Sequence, residues 1–220
     1  MKSILVFGDS LVWGRNASQK SRHCFVDRWP NILAATLQGV TVWEAGLGGR
    51  TTDLEFEDKP GRNGLKYLPV ALQQAAPLDL VILALGTNDP FALTGRKPKE
   101  TANAMRALIS TVRDLPLATG SSVPNTKPPK VMIVSPPNCL PLASVTGEGY
   151  PELNDLTLWL PELAKLYRDL AVEQDTYFTD ASSFCEPDPI DGLHLNSENT
   201  RKLGRGIAHT LTINGFANSY

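Results

Sequence analysis

Four short blocks hold the residue types that acyl-transfer chemistry requires. Gly8-Asp9-Ser10-Leu11 carries a serine, and Ala45-Gly46-Leu47-Gly48-Gly49-Arg50-Thr51-Thr52 is a glycine-rich run. Gly86-Thr87-Asn88-Asp89 offers a side-chain amide, and Asp191-Gly192-Leu193-His194 sets a carboxylate three residues ahead of an imidazole. A serine hydroxyl becomes a competent nucleophile when a base takes its proton, and histidine, with a pKa near neutrality, suits that task. Asp191 is close enough in sequence to accept the Nδ1–H of His194, which would fix the tautomer and leave Nε2 for Ser10. The attacked carbonyl gathers negative charge and needs preorganised donors. The Ser10 N–H at a helix start, the Gly49 N–H on a loop that tolerates close approach, and the Asn88 side-chain amide are the candidate oxyanion hole.

Each block alone has a plainer explanation. Gly-Asp-Ser after a strand is commonly a turn with a capping serine, and Thr-Asn-Asp is ordinary turn chemistry. Asp9 and Asp89 read as carboxylates that stabilise their own loops. Leu11, Val12 and Trp13 follow the nucleophile, so Leu11 and Trp13 are candidates for the acyl pocket, with core packing as the equal alternative. Asp188, Asp191 and His194 do not make a metal site, since no other histidine is near in sequence, and the chemistry needs no metal or cofactor. Gly46-Leu47-Gly48 begins like a dinucleotide loop, but Thr51 stands where the third glycine of GxGxxG would fall. His23 and His209 read as surface or packing residues.

The elements that must position these blocks alternate in type. Residues 3–7, 40–44, 78–85, 130–135 and 176–179 read as strands; Leu80 to Leu85 is apolar without alternation, as in a parallel strand covered on both faces. Residues 26–37, 99–115 and 156–172 have helical periodicity; Gly39 closes the first, and Pro161 is a candidate first turn of the third. Asn196 is a suitable N-cap for a last helix. This alternation predicts an α/β fold over residues 1–220 as a single domain, a three-layer α/β/α sandwich on a five-stranded parallel sheet of flavodoxin-like topology. Ligands of such sheets bind at the carboxyl ends of the strands, where the first three blocks stand. Residues 57–63, charged and glycine-rich, resist a regular reading, while 116–129 and 136–151 read as long surface loops, candidates for active-site walls or lids.

Composition narrows the partners. A 220-residue chain that is 42% hydrophobic and 20% charged suits one full-sized core, and a formal net charge of −2 leaves no basic field for nucleic acid. No apolar run approaches the roughly 18–20 residues of a membrane span, and the brief apolar start lacks a secretory signal, so a cytoplasmic location is expected. Three widely spaced cysteines imply reduced thiols.

Taken together, the four blocks resemble those of the GDSL, or SGNH, hydrolase family, with Ser10, Gly49, Asn88 and the Asp191–His194 pair in its motif positions. Further stretches, Phe7 to Gly14, Arg50-Thr51-Thr52, Arg62-Asn63-Gly64, Tyr67-Leu68-Pro69 and Val134-Ser135-Pro136-Pro137, are similar to short bacterial arylesterases and acyltransferases of that family. The resemblance implies hydrolysis of short-chain or aryl esters, acyl transfer to alcohols or peroxide, and a homo-oligomer. One departure is Glu44-Ala45-Gly46, where the wider family often opens its second block with Asn. Two alternatives stand beside an esterase using water or an alcohol as acceptor. The same residues serve a carbohydrate O-deacetylase or a thioesterase, and the fold alone would suit a flavodoxin-like binding module.

Overall fold

Five parallel strands form the central sheet: β1 (Lys2–Gly8), β4 (Val40–Gly46), β5 (Leu80–Ala84), β6 (Lys130–Ser135) and β7 (Tyr177–Asp180), in the order β4-β1-β5-β6-β7. The computed structural model describes residues 1–115 and 127–220, so most of the expected loop 116–129 lies outside the described residues. Counted along the chain, the strand order is second, first, third, fourth, fifth, the flavodoxin-like winding expected from the alternation. Register aligns Gly8 with both Gly46 and Ala84, so the carboxyl ends of β1, β4 and β5 finish level. The winding reverses between β1 and β5, which opens a crevice there.

Period-two alternation along β1 divides the core. Leu5 and Phe7 join Val81, Leu83, Val131 and Ile133 on one face. Helices α3 (Gly64–Ala75), α5 (Pro98–Asp114) and α6 (Leu153–Glu173) cover that face through Leu72, Met105, Ile109 and Leu163. Ile4 and Val6 face the other way with Ile82 and Val134, under α2 (Trp29–Thr36) and α7 (Ser197–Ile213). Each fully buried large apolar side chain contributes about 1.5–3 kcal/mol, so both layers are needed to hold the sheet.

Several boundaries differ from the periodicity reading. The helix expected from residue 26 begins at Trp29, behind a short 3-10 turn at Phe25–Asp27, and ends on Leu37, so Gly39 (φ +63°) turns the chain into β4 instead of capping the helix. Pro161 lies inside α6, which starts at Leu153. Helix α3 is not marked by the periodicity reading. Pro69 interrupts its donor pattern, while Asn63 caps it by accepting from Lys66 N–H at 3.0 Å. A two-residue hairpin, β2 (Arg15–Asn16) with β3 (Ser21–Arg22), follows the nucleophile block, and a four-residue α4 (Asp89–Ala92) follows Asn88. Asn196 caps α7 as expected, accepting from Asn199 N–H at 2.9 Å. Among the described residues, no helix is long and apolar enough to cross a membrane.

Candidate active site

Ser10 opens α1 (Ser10–Trp13), two residues past the end of β1. Asp9 caps this single turn, its Oδ1 accepting from Leu11 N–H at 2.9 Å, which holds the serine at a sharp strand-to-helix corner. Two glycines permit the corner. A Cβ on Gly46 would lie 2.2 Å from the Trp13 backbone nitrogen, and one on Gly8 would lie 2.5 Å from the Ala84 carbonyl oxygen.

His194 reaches Ser10 from the far end of the chain. Its Nε2 lies 3.0 Å from Ser10 Oγ and its Nδ1 lies 2.7 Å from Asp191 Oδ2. The other Asp191 oxygen accepts from the Leu193 and His194 backbone N–H groups at 3.0 and 2.9 Å, so the carboxylate is fixed before it orients the ring. Burial pushes the Asp191 carboxyl up, but the His194 hydrogen bond and charge and the two backbone donors outweigh it, and its pKa falls below the ordinary carboxylate value. With Nδ1–H engaged by Asp191, Nε2 carries the lone pair that faces the serine hydroxyl.

The loop bearing this pair is tied on both sides. Asp188 N–H donates to the His194 carbonyl at 2.7 Å. On one side Leu140 N–H meets the Gly192 carbonyl and Gly147 N–H meets the Ile190 carbonyl, which attaches the long 136–151 segment. On the other, buried His23 places Nε2 3.0 Å from the Leu195 carbonyl. His23 is thus a packing residue; His209 is exposed on α7.

The candidate oxyanion donors come from two neighbouring turns. Neither Ser10 N–H nor Gly49 N–H has an acceptor among the described residues. Gly49 has φ +77°, a left-handed conformation that glycine adopts without strain. Asn88 Nδ2 donates to the Arg50 carbonyl at 3.0 Å and stands 3.4 Å from Asp9 Oδ2. Ser10, Gly49, Asn88 and His194 all line one cavity of about 480 Å³ at the crevice between β1 and β5.

Arg50 supports this arrangement and was not singled out by residue type. Its guanidinium lies 4.2 Å from the Phe7 ring centroid and donates to the Gly8 carbonyl at 2.8 Å and to the Ala45 carbonyl, bracing the ends of β1 and β4. Burial lowers its pKa to about 10, against the favourable charge of Asp9 and with the unfavourable charge of Arg62. Asp89, buried after Asn88, accepts from Thr52 N–H and Oγ1, each at 2.9 Å, so it links the Gly49 turn to the Asn88 turn. Both acidic neighbours therefore hold loops, as their positions suggested. Glu44 points away from the cavity into a cluster with Arg22, Arg28 and Asn31, so the absent asparagine in that block leaves the cavity lining untouched.

Trp13 lines the cavity, whereas Leu11 turns inward and packs against the core beneath α2, which corrects its place in the pocket. The expected loop 136–151 supplies a wall through Tyr150, and the irregular stretch around 57–63 supplies another through Phe56, Lys59 and Arg62. Tyr150 presents its ring edge-on to His194, 6.2 Å between centroids, and to Phe91 at 5.7 Å. No single residue signal marks Tyr150; only the Pro- and Gly-rich length of its loop does. The three cysteines are unpaired, Cys24 exposed and Cys139 and Cys185 buried. No group of three or more metal-ligating side chains is assembled among the described residues.

A model of the GDSL-like Lipase/Acylhydrolase family matches residues 6–201. Among solved structures, the native aryl esterase of M. smegmatis is 35% identical, with a TM-score of 0.85 over 97% of this chain and 99% of its own. A carbohydrate acetylesterase family member from Sinorhizobium meliloti is 35% identical, with a TM-score of 0.83 over 97% and 98%. A protein from Agrobacterium tumefaciens str. C58 is 37% identical, with a TM-score of 0.85 over 97% and 99%. A comparison with curated proteins finds no match.

Proposed function

The chain belongs to the GDSL-like lipase/acylhydrolase family, and on that premise we propose that it is a serine esterase acting on short-chain or aryl carboxylic esters through an acyl-Ser10 intermediate. The observation that carries this reading is the continuous hydrogen-bonded line from Asp191 through His194 to Ser10 at the wall of the cavity.

In the proposed cycle Ser10 Oγ attacks the ester carbonyl while His194 Nε2 takes the hydroxyl proton. Negative charge on the carbonyl oxygen is met by the Ser10 and Gly49 N–H groups and by the Asn88 amide. The tetrahedral adduct collapses, the carbon–oxygen bond to the alcohol breaks, and the alcohol leaves with the proton from His194. Water, activated by the same nitrogen, then attacks the acyl-Ser10 carbonyl and frees the acid. An alcohol in place of water gives a new ester, and peroxide gives a peracid. Throughout, Asp191 stabilises the imidazolium without taking its proton.

The cavity of about 480 Å³, lined in part by Trp13, Phe56, Phe91 and Tyr150, favours compact esters. A carbohydrate O-deacetylase is the second reading, favoured by the likeness to the Sinorhizobium meliloti acetylesterase. A homo-oligomer is also proposed, and sedimentation velocity would read it directly. The deciding experiment is p-nitrophenyl acetate turnover by wild type and Ser10→Ala, with and without benzyl alcohol. Loss of turnover in the variant and benzyl acetate formation by the wild type are expected. Turnover that survives Ser10→Ala would overturn the serine mechanism.

A further inference from the structure

The cavity wall has a charge that catalysis does not use. Among the described residues lining it are Arg15, Lys59 and Arg62, and no aspartate or glutamate. The chain as a whole is slightly acidic, with a formal net charge of −2, so three cations around one opening are a local reversal.

The two arginines are not neutralised by a carboxylate, and Lys59 is only weakly so. Arg15 donates to the Lys20 carbonyl at 3.1 Å, and Arg62 donates to the Gly48 and Pro60 carbonyls at 3.1 and 2.9 Å; neither forms an ion pair with a carboxylate among the described residues. Lys59 stands 4.0 Å from Asp58, an exposed pair in which both side chains remain largely in water. Of the other carboxylates in these loops, Glu55 faces Lys66 and Glu148 faces Lys20, while Glu57 is exposed to solvent. The positive field is felt by neighbours: Arg62 helps to lower the Arg50 pKa, and Arg15 partly offsets the burial that raises Tyr150.

Position matters as much as sign. Arg62 packs along Gly49, its Nε 3.9 Å from where a Cβ would stand, so its side chain runs beside the candidate oxyanion turn. Arg15 enters from the β2–β3 hairpin, immediately after the nucleophile turn. Phe56, Phe91 and Tyr150 supply apolar surface in the same lining. A compact apolar or aromatic body with one anionic group matches that lining.

Resting on the esterase reading above, we propose that the preferred substrate class is an ester bearing a fixed negative charge, such as a carboxylate, with the anion held by Arg15, Lys59 and Arg62. Hydrolysis then proceeds as already described, with the anion unchanged by the reaction. A charge-assisted hydrogen bond to a guanidinium supplies the selectivity, of the order of tenfold for one good contact.

The test compares 3-acetoxybenzoate with neutral 3-acetoxybenzamide as acetyl donors, in wild type, Ser10→Ala, and the variants Arg15→Gln, Lys59→Gln and Arg62→Gln. The expected wild-type kcat/KM ratio favours the anionic ester by about tenfold at low salt and shrinks as salt is added. Each glutamine variant is expected to reduce the ratio, and the triple variant to bring it near one. Using the ratio within each variant removes any general loss of activity, including that from the Arg62 bond to Gly48. A wild-type ratio at or below one, or a ratio unmoved in the triple variant, overturns the proposal while Ser10-dependent turnover of the amide preserves the esterase reading. Failure of the wild type to hydrolyse either ester overturns both.

Discussion

Asp89→Asn is expected to stabilise the protein at pH 8 and to lose most of that advantage at pH 4. The Asp89 side chain is fully buried; Oδ1 accepts two hydrogen bonds from Thr52, and Oδ2 has no hydrogen-bond partner among the described residues. Burial raises its pKa from 3.8 to about 7, opposed by the two Thr52 hydrogen bonds and the charge of Arg96. Between those values the folded chain keeps a proton that the unfolded chain has lost, so stability falls as pH rises from about 4 to about 7 and levels above that. The difference, 7 minus 3.8, is about three units, and at 1.36 kcal/mol per unit the buried carboxylate costs up to about 4 kcal/mol at pH 8. Local relaxation makes this an upper bound.

Asparagine retains the Oδ1 acceptor for Thr52 and carries no charge, so it removes the penalty and keeps the link between the Gly49 and Asn88 turns. Urea denaturation of wild type and variant at both pH values gives the two differences directly. The variant should lead by about 2–4 kcal/mol at pH 8 and by less than about 1 kcal/mol at pH 4. Asp89→Ala, which cuts both Thr52 bonds, should destabilise at pH 4, where the wild-type carboxyl is protonated, and lower kcat by loosening the two turns. An asparagine variant destabilised equally at pH 8 and pH 4 would refute the reasoning, because the carboxylate would then be satisfied in the fold.

Asn88→Ala should reduce kcat for p-nitrophenyl acetate by about 10²–10³-fold with little change in KM, as expected for a donor that acts on the transition state. Steady-state kinetics checks it, and a rise in KM alone would place Asn88 in substrate binding instead. Gly46→Ala should destabilise by roughly 1–3 kcal/mol or more, because its new methyl would sit 2.2 Å from the Trp13 nitrogen and force the nucleophile turn away from β4. Thermal denaturation with parallel activity measurements would show both losses.

Much of the architecture was legible because local rules and tertiary packing agreed. The apolar run of β5 has no polar face to expose, and Asn196 has the side-chain oxygen that a helix start needs, so both behave as their residue types dictate. The grouping of Ser10, Asn88, Asp191 and His194 could be anticipated for a related reason: each stands in a short recognisable block near a strand end or a helix start. Helix α3 was hidden because Pro69 obscures its pattern, while its start depends on contacts beyond the chain nearby. Gly64, for instance, has room only for a hydrogen against the Thr51 carbonyl, 2.6 Å from a would-be Cβ.

What tertiary structure decided is which side chains share a surface. Leu11 and Trp13 are two residues apart, and the single turn of α1 sends one into the core and the other into the cavity. Arg15, Lys59, Arg62 and Tyr150 come from three separate segments, and nothing in their spacing reveals that they border one opening. The sequence by itself determined the parallel α/β plan and the set of candidate site groups, because strand propensity, periodicity and turn chemistry act over a few residues. The cavity wall, and with it the expected selectivity, depends on long-range packing, which brings together side chains that local forces never compare.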